Sequence, residues 1–355
     1  MKRKLPFPPM ALFALAAGLP LLLIALAAGL GGAWVWLPFF YMALLTAILD
    51  QLIPLVAADM PEGAEFPAAD ALLVILGLGH LVVLPLAVGA IAGGTGLSTA
   101  ERIILFLGAG LWFGQVSHPC AHELIHRGNR GLYRLGVMVY ASLLFGHHAS
   151  AHRLVHHVHA ASLRDPNTAR AGESFWHFAL RAWTGSFREG LRAENARRAK
   201  RPGGLHPYAV YLGFSAGSLI AGGIIAGATG VLIWAALALH AQIQLLLADY
   251  VQHYGLLREE RPDGRLEPVS SRHSWNAPHW FSSALMLNAP RHSDHHAHPA
   301  RPYPALRLPA RDEAPWLPYS LPLCATLALS PRLWRRVMDP QLEAWRQGTA
   351  PMTRP

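Results

Sequence analysis

Six windows of this chain are long and apolar enough to cross a lipid bilayer, which takes roughly 20 residues. They lie at about 10–31, 33–56, 71–95, 102–118, 208–229 and 231–250. The pattern predicts an all-α integral membrane protein, because a bilayer core holds no water to satisfy an open backbone. Composition agrees. Of 355 residues, 52% are hydrophobic and only 14% charged, whereas a soluble domain carries about 25% charged residues. A soluble enzyme, a disordered chain and a coiled coil are excluded on that ground. Residues 131–146 are apolar but fewer, and read as an interfacial or re-entrant helix. The first window follows Met1-Lys2-Arg3-Lys4. It is long for a cleaved leader and a second span follows at once, so it reads as a retained span.

Lys and Arg orient such a chain. With six spans and a cytoplasmic N-terminus, the cytoplasmic segments are 1–9, 57–70, 119–207 and 251–355. They hold 29 of the 30 Lys and Arg, the exception being Arg102. The expected organisation is four transmembrane helices (1–118), a cytoplasmic and interfacial insert (119–207), a transmembrane hairpin (208–250), and a cytoplasmic cap ending in a Pro/Arg-rich tail (251–355). The last stretch of that tail is expected to be poorly ordered. The location implied is a bacterial-type inner (plasma) membrane, with both termini and the cap inside. The net charge of +9 comes with no basic stripe interleaved with aromatics, so nucleic acid is not an expected partner. Two cysteines, Cys120 and Cys324, exclude a disulfide scaffold, a four-Cys metal site and a Cys-held iron–sulfur cluster.

The 20 histidines are unevenly placed, and only His80 precedes residue 118. Four clusters stand out. They are His118-Pro-Cys-Ala-His122-Glu123-Leu-Ile-His126-Arg127; His147-His148 with His152-Arg-Leu-Val-His156-His157-Val-His159; Gln252-His253-Tyr254-Gly255; and Arg291-His292-Ser-Asp294-His295-His296-Ala-His298. The sidedness places all four at one membrane face. His122 and His126 are four apart, so on a helix their rings point the same way. His152 and His156 repeat that spacing with His157 as a neighbour, and His292 and His295 are three apart. Neutral imidazole binds iron, zinc, copper or nickel, and nine or more converging rings imply at least two ions. The first cluster also has the H-E-x-x-H form of zinc proteases, but a protease leaves the other clusters unused. His80 and His240, inside spans, read as hydrogen-bonded packing residues, His240 with the option of facing a cavity. His177, His206, His273 and His279 have no ligand spacing. A metal transporter would place ligands at mid-bilayer depth, where only His80 and His240 lie.

These boxes resemble those of the integral-membrane alkane monooxygenases, within the fatty acid desaturase–hydroxylase superfamily. His122-Glu-Leu-Ile-His126-Arg127 is similar to the family's H-E-L-x-H-K/R box. His152-Arg-Leu-Val-His156-His157 is similar to its E-H-x-x-x-H-H box, and Asp249-Tyr-Val-Gln-His253-Tyr-Gly-Leu to N-Y-x-E-H-Y-G-L. Arg291-His292-Ser-Asp-His295-His296-Ala-His-Pro is similar to L-Q-R-H-S-D-H-H-A-x-P. Asp165-Pro-Asn-Thr-Ala-Arg170-Ala-Gly-Glu-Ser174 and Arg272-His-Ser-Trp-Asn276 match further family stretches, and the resemblance covers roughly residues 40–310. The sequence departs from the pattern at Ala151, Asp249, Gln252 and Ala289-Pro290. None of these removes a candidate ligand, but they bear on the substrate. The resemblance implies two iron ions held almost entirely by nitrogen, with His122, His126, His152, His156, His157, His253, His292, His295 and His296 as ligands. It also implies electrons from a rubredoxin served by a flavin reductase. The cysteine count excludes a rubredoxin fused within this chain.

The reaction implied is RCH₃ + O₂ + 2e⁻ + 2H⁺ → RCH₂OH + H₂O. A terminal C–H bond has no acidic proton and no carbonyl to polarise, so a metal–oxygen oxidant has to attack it. Carboxylates behind the ligands would set the imidazole tautomers. Glu123 and Asp294 sit inside the boxes and are the first candidates; Asp165 is another, and Glu173 reads as a surface ion pair. An alkane or alkylarene gains about 0.8 kcal/mol per CH₂ on entering an apolar phase, so it collects in the bilayer. The expected route is a tunnel walled by spans one to three and six, with Gly213, Gly217, Gly222 and Gly223 as close-packing positions. Competing substrates are methyl groups on aromatic or terpene rings and, against the H-Y-G signature, a lipid to be desaturated. The basic cytoplasmic face offers a docking surface to an acidic redox partner.

Overall fold

A computed structural model describes residues 2–3, 8–53, 55–201 and 203–348. The chain runs through α1 (Pro9–Leu30), α2 (Gly32–Leu52), α3 (Ala68–Ile91), α4 (Thr99–Ile125) and α5 (Arg130–Ser142). A short helical run, α6 (148–159), and the long α7 (Phe175–Lys200) precede α8 (Pro207–His253). The cap contains α9 (Trp280–Leu285), α10 (His292–Ala297), α11 (Leu321–Ala328) and α12 (Pro331–Arg346). Two-residue strands, Lys2–Arg3 and Val56–Ala57, pair in parallel. Helix starts carry their own signals. Ser98 and Glu101 form a capping box at α4, Asn129 caps α5 and Ser174 caps α7, each satisfying N–H groups that a first turn leaves open.

Five helices, α1 to α4 and α8, are long and apolar enough to cross a membrane. The 47 residues of α8 would run about 70 Å if straight, more than twice a bilayer core. They fold back instead. Ala226 and Gly227 leave helical geometry, Gly227 at φ 57°, a left-handed value that glycine adopts without a Cβ penalty. Both arms then reach the same end of α5: Ser215 Oγ donates to Ala141 O and Trp234 Nε1 to Ser142 O, each at 2.8 Å. Beside the turn the arms touch. A Cβ on Gly222 would lie 2.9 Å from Gly230 O, so Gly222 serves close packing, whereas Gly213 and Gly217 face open space.

The first helix is part of the core. Trp112 Nε1 donates to Ala17 O at 3.0 Å, Tyr41 OH to Ala16 O at 3.2 Å, and Phe13 packs edge-on against Tyr303. His80 is a packing residue, bonded to Ser117 Oγ at 2.9 Å and Ser142 Oγ at 2.8 Å. The turns at 31–32, 92–98 and 226–227 gather at one end of the bundle, where Gly32 N–H donates to Glu101 and Gly89 meets Ile225. Loop 57–70 and all four histidine clusters occupy the other end, joined by the ion pairs Arg291–Asp59 and Arg127–Asp70.

Within the Pro/Arg-rich tail, α12 packs its Trp334, Met338, Leu342 and Trp345 into the cap; the last stretch, expected to be poorly ordered, lies outside the described residues. Tyr254 OH donates to Asp339 Oδ1 at 2.7 Å and Arg346 Nη2 to Gly255 O at 2.9 Å.

Candidate metal centre

Four elements bring the histidines together: the end of α4, α6, the end of α8, and α10. The nine rings fall into two groups, each with ring nitrogens within 4.8 Å of one another. His122, His126, His152, His157 and His295 form one; His156, His253, His292 and His296 form the other. His122 and His126 share a group, as their helical spacing requires. The other two pairs divide differently from the spacing argument. His152 and His156 go to separate groups, and His152 instead joins His157. The cause is local: 152–156 is a π turn, whose i→i+5 bonding brings residues five apart onto one face. His292 and His295 also separate, and His292 pairs with His296 four residues on. Adjacent residues, His156–His157 and His295–His296, therefore each send one ring to either group.

The donor set fits metal. Nε2 of His152 faces Nε2 of His122 at 2.8 Å and of His157 at 2.9 Å, and His157 faces His295 at 3.1 Å. In the second group, Nε2 of His296 faces His156 at 3.2 Å and His292 at 3.0 Å, and His292 faces His253 at 3.0 Å. One ring nitrogen has either one lone pair or one N–H, so it cannot hydrogen-bond two such partners at once. Two nitrogens bound at right angles to one ion, at about 2.1 Å each, stand about 3 Å apart. Burial, and then the neighbouring rings, push His152, His292, His295 and His296 well below the ordinary histidine value. They are neutral imidazoles with lone pairs to give.

Asp165 is the carboxylate that orients a candidate ligand. His156 Nδ1–H donates to Asp165 Oδ2 at 2.8 Å, which leaves Nε2 as the lone-pair atom facing its group. Asn167 N–H and Thr168 Oγ1–H hold the same carboxylate. Burial favours neutrality in both partners, and their pairing overrides it, holding His156 above and Asp165 below their ordinary values. The expected carboxylates sit elsewhere. Glu123 Oε1 is 3.9 Å from His122 Nδ1, too far for a hydrogen bond, while Oε2 accepts the Tyr303 N–H at 3.2 Å. Asp294 pairs with Arg301 and accepts from Arg307 N–H and His298, and reaches no ligand ring. Glu173 pairs with Arg181 and His177.

Of the other histidines, His177, His206 and His273 bond to Glu173, Asn195 and Glu267; none of these, nor His279, joins a metal group. His240 stacks on Phe106 and lines a cavity. That cavity, about 270 Å³, opens onto His122, His152, His292 and His295. Its walls are α4 (Leu111, Gln115, His118), the second arm of α8 (His240, Gln244, Ala248) and the tail helix α11 (Leu321, Ala325). Among the described residues, spans one to three contribute none of the lining, contrary to the sequence expectation. They are replaced by α4 and by α11, which hydropathy windows did not mark. Glycine lets α4 and α8 close together here: a Cβ on Gly110 would lie 1.9 Å from His240 Nδ1, and one on Gly114 2.4 Å from Gln244 Cδ. Sequence reading also missed Asn167 bonding Asp249 in the cavity wall at 2.6 Å. It likewise missed Asn276, which accepts both Ser293 N–H and Oγ–H under the third box. Both asparagines lie in stretches that the motif comparison had marked.

Comparison with known proteins places these features among relatives. A sequence-family model described as Fatty acid desaturase matches residues 100–327. The chain is 31% identical over 317 residues to alkane 1-monooxygenase 1 of Pseudomonas aeruginosa, covering 85% of this chain and 81% of that protein. It is 30% identical over 328 residues to alkane 1-monooxygenase 2 of the same organism, covering 89% and 86%. It is also 27% identical over 345 residues to the hydroxylase component of a xylene/toluene monooxygenase from Pseudomonas putida, covering 89% and 85%.

Proposed function

Because the chain belongs to the alkane 1-monooxygenases of the fatty acid desaturase family, we propose that it places one O₂ oxygen on the terminal carbon of an alkane or alkyl chain held in the cavity. The protein is an oxidoreductase, a monooxygenase. The observation that carries the substrate reading is the mouth of an apolar cavity opening onto both histidine groups. Two iron ions are the proposed metals, five histidines holding one and four the other; when bound they supply the O₂ reduction that an unactivated C–H bond demands. The chain's own part is to orient and exclude. Asp165 fixes the His156 tautomer, Leu111, Ala248, Leu321 and Ala325 hold the alkyl chain away from water, and buried neutral rings keep their lone pairs directed inward.

The membrane arrangement proposed is six crossings, with the α8 hairpin counted as two, and the histidine end in the cytoplasm. The placement of 29 of 30 Lys and Arg in segments at that end supports it. Rubredoxin, reduced by a flavin reductase, is the proposed electron source. The xylene/toluene relative supports a second reading, hydroxylation of methyl groups on aromatic rings.

Membranes containing the chain, supplied with rubredoxin, reductase, NADH and ¹⁸O₂, test both. Labelled primary alcohols from a mixture of n-alkanes are the expected product. Labelled benzylic alcohol alone, from added xylene, moves the substrate to the second reading. No labelled alcohol from iron-loaded protein overturns both.

A further inference from the structure

The proposed reaction consumes two electrons per turnover, and the second histidine group, which would hold one of the accepting metals, is fully buried. We infer that the outer face of α12 is the docking surface for a small acidic one-electron carrier, and that Trp334 and Tyr254 form the path from that face to His253. This rests on the monooxygenase reading for its need of electrons; the surface itself stands on geometry.

The helix is two-faced. Trp334, Met338, Leu342 and Trp345 are buried, while Arg332, Arg335 and Arg336 are exposed and form no ion pair among the described residues. Behind them the Trp334 ring lies 5.3 Å from the Tyr254 ring, and Tyr254 directly follows His253 in the chain. Trp334 Nε1 is buried without a hydrogen-bond partner, so the indole is not there as a donor. Tyr254 is locked across the gap by its bonds to Asp339 and from Gly172 N–H. An alternative basic face, on α7 around Arg188, has an aromatic route to His152 through Phe187, His147, Phe145 and His148. Two rings lie on the α12 route and four on the other, and tunnelling favours the shorter. Each docking oxidises the carrier by one electron and reduces the metal centre by one. Two dockings supply the 2e⁻ of the balanced reaction, and neither ring is itself oxidised.

The test uses full-length, iron-loaded protein in lipid nanodiscs and a recombinant rubredoxin of net negative charge. Binding is measured by titration, and metal reduction by stopped flow with either rubredoxin or dithionite. The double variant Arg335→Glu/Arg336→Glu is expected to weaken binding at least tenfold and to remove most of its salt dependence. Arg188→Glu/Arg197→Glu on α7 is expected to change it less than twofold. Trp334→Leu is expected to slow rubredoxin-driven reduction at unchanged affinity, with Trp334→Phe restoring most of the rate and dithionite reduction unaltered. Equal weakening by both Arg pairs, or by neither, overturns the docking surface. An unchanged rubredoxin-driven rate in Trp334→Leu overturns the path. Binding that localises to α12 in protein that makes no alcohol would instead count against the monooxygenase reading.

Discussion

Asp165 does what two better-advertised carboxylates do not. It accepts from His156 Nδ1, and so fixes which nitrogen of that ring faces its group. Replacing such a partner typically costs about 10–100-fold in metal affinity. Asp165→Ala is therefore expected to lose iron from the His156 group to a chelator that leaves the wild-type protein loaded. Asp294→Ala, which breaks the contacts with Arg301, His298 and the Arg307 N–H but none with a candidate ligand ring, should keep its iron within twofold. Metal content after a chelator titration decides this; equal retention in both variants would refute the tautomer argument. A companion test uses neighbours in sequence: His156→Ala and His157→Ala are expected to perturb different iron signals in a Mössbauer spectrum. The histidine clusters were legible from residue type and spacing, and the nine rings that converge were singled out by the family resemblance. Their division into five and four was not, because helical spacing assumes i→i+4 bonding and the π turn at 152–156 replaces it. Asp165 was harder to rank than Glu123 or Asp294 because it lies in a loop, where no period relates it to a ligand.

At the scale of elements, the tail helix determines how rigidly the H-Y-G turn is held. Gly255 has φ 72°, and a Cβ there would lie 2.3 Å from Leu342 Cδ2 of α12. Gly264 has a similar φ of 75° but its nearest neighbour would be 3.8 Å away. Both alanine variants carry a backbone strain of about 1–3 kcal/mol, and only Gly255→Ala also forces the Leu342 side chain of α12 out of its place. It is expected to lower the thermal midpoint more than Gly264→Ala and to open the 331–346 segment to protease. A proteolysis time course with both variants reads this directly, and equal cleavage would mean that α12 is not seated by this contact. The apolar helices of the bundle were legible from hydropathy alone, to within about four residues except at the end of α4, which runs seven residues past its window to Ile125. The tail was not: α11 and α12 are short, and a mixture of Pro, Arg and apolar residues has the composition of a loose end. Its packing surface becomes visible only when the cap is assembled around Tyr250, Tyr254 and Trp275.

For the whole molecule, the question is which surface measures the substrate. Lipid-facing side chains of α3 such as Ile75, 60% exposed, line no part of the cavity, whereas Leu111 does. Leu111, Gln115, His118 and His122 form one face of α4, and eleven residues separate Leu111 from His122. That is about 16 Å along a helix, so Leu111 lies towards His240, at the end of the cavity far from the two histidine groups. An alkyl chain whose terminal carbon reaches His122 extends towards Leu111, and each CH₂ it buries is worth about 0.8 kcal/mol. A bulky side chain at the far end removes room for the last carbons without touching the metal ligands. Leu111→Trp is therefore expected to abolish alcohol products from the longest alkanes while leaving those from shorter ones within about twofold. Ile75→Trp, projecting into lipid, should leave the product distribution unchanged. Gas chromatography of products from a mixed-chain incubation compares the two variants in one experiment. A shifted distribution in Ile75→Trp, or none in Leu111→Trp, would show that the substrate does not lie along this face of α4 and enters by another route.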